Sequence, residues 1–205
     1  MTEEEKDKFA APVIVEAHPP IAIIRLNHSA QRNQLSIATL DQLDSALSRL
    51  LERADITSLI FTGTGNVFAS GANIRELGEL SPASARRFAL RGQQLFQKIA
   101  DARQLTIAAV NGYCMGGGLD LALACDLRHA SSAATFAHPG ARLGIITGWG
   151  GTQRLPRLIG EGRALEILLT ARRLTSSEAL EMGLVDRIGD PVLDYACEAA
   201  RQLLK

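Results

Sequence analysis

The chain has 205 residues, 46% of them hydrophobic, with a formal net charge of zero and a pI near 6.9. That length buries one sizeable core as a single domain over 1–205, and the charge balance does not favour nucleic acid or an anionic membrane, both of which need concentrated positive charge. Three scattered cysteines without a CxxC pair (Cys114, Cys125 and Cys197) and four histidines without ligand spacing indicate reduced thiols in a cytosol-like compartment and no metal site.

The first twelve residues, MTEEEKDKFAAP, are charged and acidic, which is wrong for a signal or transit peptide. No apolar run approaches the roughly 18 residues of a membrane span, so a cytoplasmic protein is expected. VIVEA from Val13 and IAIIRL from Ile21 flank His18-Pro19-Pro20 and read as adjacent strands around a prolyl turn. Ser36 caps an expected helix running to about Ala54, with Leu40, Leu43, Leu47, Leu50 and Leu51 on one face. SLIFTG from Ser58 is a short apolar strand. Ser81-Pro82 opens a second amphipathic helix, with Phe88, Leu95, Phe96 and Ile99 inward.

LTIAAV from Leu105 is the next strand, and NGYCMGGGLDLALACD carries it through glycines into a helix. DLRHA and ATFAH are short pieces. Helices are expected near Gln153, Glu161 and Ser176, a strand at LVDRI from Leu184, and a final helix opened by Pro191 over 191–205. Strands alternating with helices give an α/β fold with right-handed crossovers.

Two glycine turns carry the chemistry. NVFASGANIREL from Asn66 runs from a strand end through Ser70-Gly71-Ala72 into a helix, and the GGG segment leads into a helix whose first turn holds Asp120. Glycine lets backbone approach a ligand closely, and a helix N-terminus presents free N–H groups to negative charge. Two such turns converging on one carbonyl oxygen form an oxyanion hole, suited to a thioester that gains enolate character. Such turns also abound in α/β proteins that have no such role. Neither a GxxxxGK[ST] phosphate loop nor GxGxxG spacing is present.

Four segments in one order, LNHSAQRNQLS, FASGANIREL, IAAVNGYCMGGGLDLALACD and LGIITGWGGTQRLPRLIG, resemble the enoyl-CoA hydratase/isomerase (crotonase) family from about Val13 to Ile188. The resemblance implies a spiral of repeated ββα units, with a shortened C-terminal helical region. It implies an acyl-CoA enzyme that stabilises a thioester enolate, with Ala72 and Gly117 as the two backbone donors. Ala30, Gln31, Arg32, Ala72, Asn73, Ile74, Arg75 and Gly117 would line the site for substrate and its CoA portion; Arg32 and Arg75 read equally well as ordinary solvated arginines. It further implies coenzyme A as part of the substrate, no other cofactor, and a homotrimer or hexamer.

Family hydratases place two glutamates across the enoyl double bond. At the first position this chain has Asp120, whose carboxylate is one carbon shorter and also suits a helix first turn. At the second, AHPGARLG places Gly140, which has nothing to titrate. His138 is one substitute, although a satisfied or partly exposed histidine beside Pro139 is the plainer reading. Trp149 reads as packing. One branch, the naphthoyl-CoA synthases, also has glycine at the Gly140 position, with bicarbonate in place of the carboxylate; the aspartate that branch carries near this turn aligns with Thr147. Alternatives to hydration are isomerisation, decarboxylation or other enolate chemistry with one carboxylate, and silent acyl-CoA binding.

Overall fold

The computed structural model describes residues 11–203. The two β-branched runs form β1 (Val13–His18) and β2 (Ile21–Leu26), paired antiparallel around the prolyl turn. β3 (Ser58–Gly63), β5 (Leu105–Val110), β7 (Leu127–Ala130) and β10 (Arg187–Ile188) follow in parallel, giving a six-stranded sheet of order β1-β2-β3-β5-β7-β10. A smaller sheet has the order β4-β6-β8-β9, from β4 (Val67–Ala69), β6 (Tyr113–Met115), β8 (Thr135–Ala137) and β9 (Leu174–Thr175). Its first three strands are parallel and β9 is antiparallel to β8.

The chain alternates between the sheets. β3 leads to β4, β5 to β6 and β7 to β8, and each pair is followed by helical backbone, which is the repeated ββα unit. Because β4, β6 and β8 lie side by side and parallel, the turns that follow them emerge at one end of the small sheet. That end is where the cavity forms.

The helices close the core through the apolar faces that their spacing dictates. Helix α1 (Ile37–Leu51) starts where Ser36 Oγ accepts from Thr39 N at 3.1 Å, and it buries Leu40, Leu43, Leu47 and Leu50. Each buried leucine is worth roughly 1.5–3 kcal/mol of transfer free energy, so Leu47→Ala would remove about 2–5 kcal/mol. After the short α2 (Ile74–Gly78), helix α3 (Pro82–Ala100) buries Phe88, Leu95, Phe96 and Ile99. α4 (Gly117–Ala124), α5 (Gly151–Ile159), α6 (Glu161–Thr170) and α7 (Ser176–Glu181) continue the spiral. The last helix, α8 (Val192–Leu203), covers the other face of the large sheet, laying Val192, Ala196 and Ala200 against Ile21, Ile23, Ile60 and Ile107.

Several local expectations change. The first helix ends at Leu51 rather than Ala54. The GGG segment is not one strand running into a helix: the backbone turns at Gly112 and a separate strand, β6, joins the other sheet. LVDRI pairs only through Arg187–Ile188, because the Leu184 and Val185 N–H groups donate to Ala179 O in the turn after α7. The charged N-terminal stretch lies, up to residue 10, outside the described residues.

Candidate active site

Two backbone turns meet at the end of the small sheet. Gly71 has φ +95°, and a Cβ there would lie 2.8 Å from Met115 O and 3.0 Å from Gly117 N. The turns are thus packed backbone on backbone, in a conformation that favours glycine. The Leu35 N–H donates to Gly71 O at 2.8 Å, which ties the first turn to the segment before α1. Asn33 holds that segment in turn: its amide donates to Val67 O at 2.7 Å and Thr64 O at 3.1 Å, while its Oδ1 accepts from His28 N.

The Ala72 N–H donates no backbone hydrogen bond among the described residues. Gly117 opens α4, so its N–H has no partner inside the helix. A Cβ on Gly117 would come within 3.5 Å of Ala72 N and 2.5 Å of the Trp149 ring. Both residues line a cavity of about 570 Å3, walled mainly by Ile74, Leu77, Leu80, Phe88, Ile146 and Trp149. Trp149 is buried, with ring centroids 5.1 Å from Phe88 and 5.6 Å from Phe96. It is a packing residue, as expected, and its indole also forms cavity wall.

Asp120, Thr147 and His138 meet at the same cavity. Asp120 stands in the first turn of α4, 1% exposed, and Thr147 Oγ1 donates to its Oδ2. Burial raises its pKa to about 7, against the opposing pull of the Thr147 hydroxyl, the Trp149 and Gly151 amides and the Arg154 charge. His138 Nε2 lies 3.3 Å from Asp120 Oδ1. Burial lowers the pKa of this imidazole to about 4, so at neutral pH the contact is not an ion pair, despite its distance. Neither Nε2 nor Oδ1 has a well-aligned hydrogen bond. The approach requires a glycine: a Cβ on Gly151 would lie 2.2 Å from Asp120 Oδ1, 2.8 Å from Thr147 Cγ2 and 3.0 Å from His138 Nε2.

His138 therefore departs from the plainer expectation. It is only 3% exposed, and its Nε2 is unsatisfied. In the sequence Thr147 stands out only as an aligned position, and nothing marks Gly151. The one available signal was a polar threonine inside an otherwise apolar and glycine-rich GIITGWGG run.

Gly140 lines the cavity within a short 3-10 turn (Pro139–Leu143). Its φ is not left-handed, but a Cβ would lie 2.6 Å from Ile145 O, and Ile145 N donates to Gly140 O at 3.0 Å. A side chain at 140 is excluded by the returning backbone unless the loop shifts. Of the residues expected at the CoA end, Ala72, Ile74 and Gly117 line the cavity, whereas Ala30, Gln31, Arg32, Asn73 and Arg75 do not. The Asn73 side chain caps α2, accepting from Arg75 N at 3.0 Å. Ala30, Gln31 and Arg32 are exposed beside the Ser70 turn, whose N–H donates to Arg32 O at 3.1 Å.

A family model described as enoyl-CoA hydratase/isomerase matches residues 16–205. The chain belongs to the enoyl-CoA hydratase/isomerase family. It is 36% identical over 195 residues to a short-chain-enoyl-CoA hydratase of Clostridium acetobutylicum, covering 94% of this chain and 75% of the relative. It is 39% identical to a crotonyl-CoA hydratase of Syntrophomonas wolfei, covering 87% and 69%. The crystal structure of enoyl-CoA hydratase from Bacillus anthracis superposes with a TM-score of 0.90 at 37% identity, over 94% of this chain and 76% of that one. The crotonase spiral expected from the four segments is thus the fold of this family member.

Proposed function

We propose that the protein is an acyl-CoA enzyme that forms and quenches a thioester enolate, with Asp120 as its proton-transfer group. The carrying observation is that a buried carboxyl group and two free backbone N–H groups line one apolar cavity. In this reading the thioester oxygen accepts from Ala72 N–H and Gly117 N–H. Asp120 then takes a proton from a carbon of the acyl group: the C–H bond breaks, an O–H bond forms on Asp120, and the electron pair moves to the thioester oxygen. Charge developing there meets fixed dipoles in a largely apolar surround, where they act strongly. Returning the proton to another carbon completes an isomerisation.

Hydration also requires a group to accept the proton of the attacking water, and Gly140 offers none. We therefore expect proton transfer between carbons to outpace hydration. The names of the relatives support the acyl-CoA class, and the site composition supports the restriction to one carboxyl group. Assembly as a homotrimer or hexamer belongs to the same proposal, and light scattering reads it directly.

Calorimetry with acetoacetyl-CoA against acetoacetate tests the ligand class: heat for the thioester alone is expected. Asp120→Asn should lower exchange of the acyl α-proton with solvent by about 10²–10⁴-fold, leaving thioester affinity nearly unchanged. Rapid crotonyl-CoA hydration by wild type that Asp120→Asn does not alter would sink the assignment.

A further inference from the structure

Asp120 faces few titratable groups: His138 from the end of β8, Arg154 from α5 and Cys114 on β6, whose thiol is pushed up by burial and by Asp120. Its two oxygens are held differently. Oδ2 receives the Thr147 hydroxyl, while Oδ1 lies beside the Gly151 backbone and 3.3 Å from His138 Nε2, with no aligned hydrogen bond on either Oδ1 or Nε2 among the described residues; the Trp149 and Gly151 amides also pull on the carboxyl group. A carboxylate Oδ1 facing an unprotonated Nε2 at that distance would be two buried acceptors left unpaired, which is expensive. A proton between them removes both penalties at once.

We propose that His138 is a positioning residue for Asp120: whenever Asp120 carries its proton on Oδ1, the neutral imidazole accepts from it at Nε2, and so holds the proton taken from the acyl carbon until it is returned. This rests on Asp120 being the proton-transfer group. Thr147 fixes Oδ2, the lone pair of His138 directs the proton to Oδ1, and Gly151 leaves room for the pair to close. When the proton leaves for an enolate carbon, the O–H bond breaks and the carboxylate is left facing a lone pair, which favours taking a proton back. The neighbouring histidine thereby keeps one carboxyl group ready to give and regain a single proton, at a site where Gly140 supplies no second group.

Nitrogen-15 NMR of histidine-labelled, ligand-free protein reads the pair without substrate. Because burial lowers its pKa to about 4, we expect His138 to stay neutral between about pH 5 and 8, with Nε2 unprotonated and hydrogen-bonded at the acid end. Its resonance should move as Asp120 ionises and stop moving in Asp120→Asn. A protonated Nε2 at the acid end, or a titration that survives Asp120→Asn, overturns the proposal. In turnover, His138→Phe keeps ring volume but removes the acceptor. The Asp120-dependent pH midpoint should fall by about one unit, and kcat above that midpoint, where a weaker base takes the proton, by up to about tenfold, with KM changed less than about threefold. A purely structural loss would lower the folded fraction without moving the midpoint, and an unmoved midpoint overturns the proposal. Should His138→Phe fail to fold, the NMR comparison of wild type with Asp120→Asn still decides. NMR behaviour as expected without acyl-CoA turnover would leave the pairing standing and remove the enzyme reading alone.

Discussion

The two walls of the cavity are built by different means. The wall of Ala72 and Gly117 is backbone, delivered by turns that follow β4 and β6 and pressed together at Gly71. The wall of Asp120, Thr147 and His138 is three side chains from α4, the segment before α5 and the end of β8. The first is specified locally, because glycine at a strand-to-helix turn permits the close approach wherever the fold sets it. The second exists only after three distant segments have docked. Damage to the backbone wall should therefore appear as lost structure and binding, and damage to the side-chain wall as altered protonation.

Gly71→Ala should give the largest effect. An alanine there would be held in a left-handed conformation that L residues rarely adopt, with its methyl 2.8 Å from Met115 O. Together these should lower stability by about 3 kcal/mol, and thioester binding should be lost even where the variant remains folded. Thermal melts with calorimetry check both. A variant of wild-type stability and affinity would show that the two turns are not packed as described.

The contrast between the walls also explains what the sequence makes visible. The long strands and the α1 and α3 faces follow from apolar spacing, and the Ser36 and Ser81 caps are written next to the helices they start. β6 and β9, of three and two residues, are too short for any periodicity, and they exist because neighbouring strands offer them partners. Asp120 is legible from its place after the glycines. The burial of His138 is not, because Gly151 and Thr147 that enclose it lie on a different segment. That position 140 carries nothing to titrate is legible, whereas the Ile145 carbonyl that a side chain there would meet is not.

The side-chain wall has an intermediate signature in stability against pH. Asp120, raised from 3.8 to about 7, binds its proton more tightly in the folded state, so its contribution to stability is full at low pH and is lost as pH rises through that window. His138, lowered from 6.5 to about 4, acts oppositely: its contribution is present above 6.5 and is lost as pH falls toward 4. In wild type the two trends largely cancel where they overlap. Asp120→Asn should leave the histidine trend alone, with stability rising from about pH 4 to 6.5, and His138→Phe should leave the carboxyl trend, falling from about pH 4 to 6. Each slope should span about 3 kcal/mol, read by urea melts at stepped pH. Slopes of the same sign in the two variants would contradict a buried acid beside a neutral imidazole.

The smallest effect belongs to Thr147→Val, which keeps the branched shape and removes one hydroxyl donor. Thr147 lies at the cavity edge, partly exposed, so little packing is lost. Its hydrogen bond favours the carboxylate form of Asp120, and without it burial acts with less opposition. The pH midpoint of the Asp120-dependent step should therefore rise by about one unit, equivalent to about 1.4 kcal/mol. That is the direction opposite to His138→Phe, and the double variant should return the midpoint close to that of wild type if the two partners act on separate oxygens. Near-additive shifts of opposite sign would show that Oδ1 and Oδ2 are tuned independently. A downward shift in Thr147→Val would mean that the threonine accepts from a protonated Oδ2, and the assignment of the two oxygens would have to be exchanged.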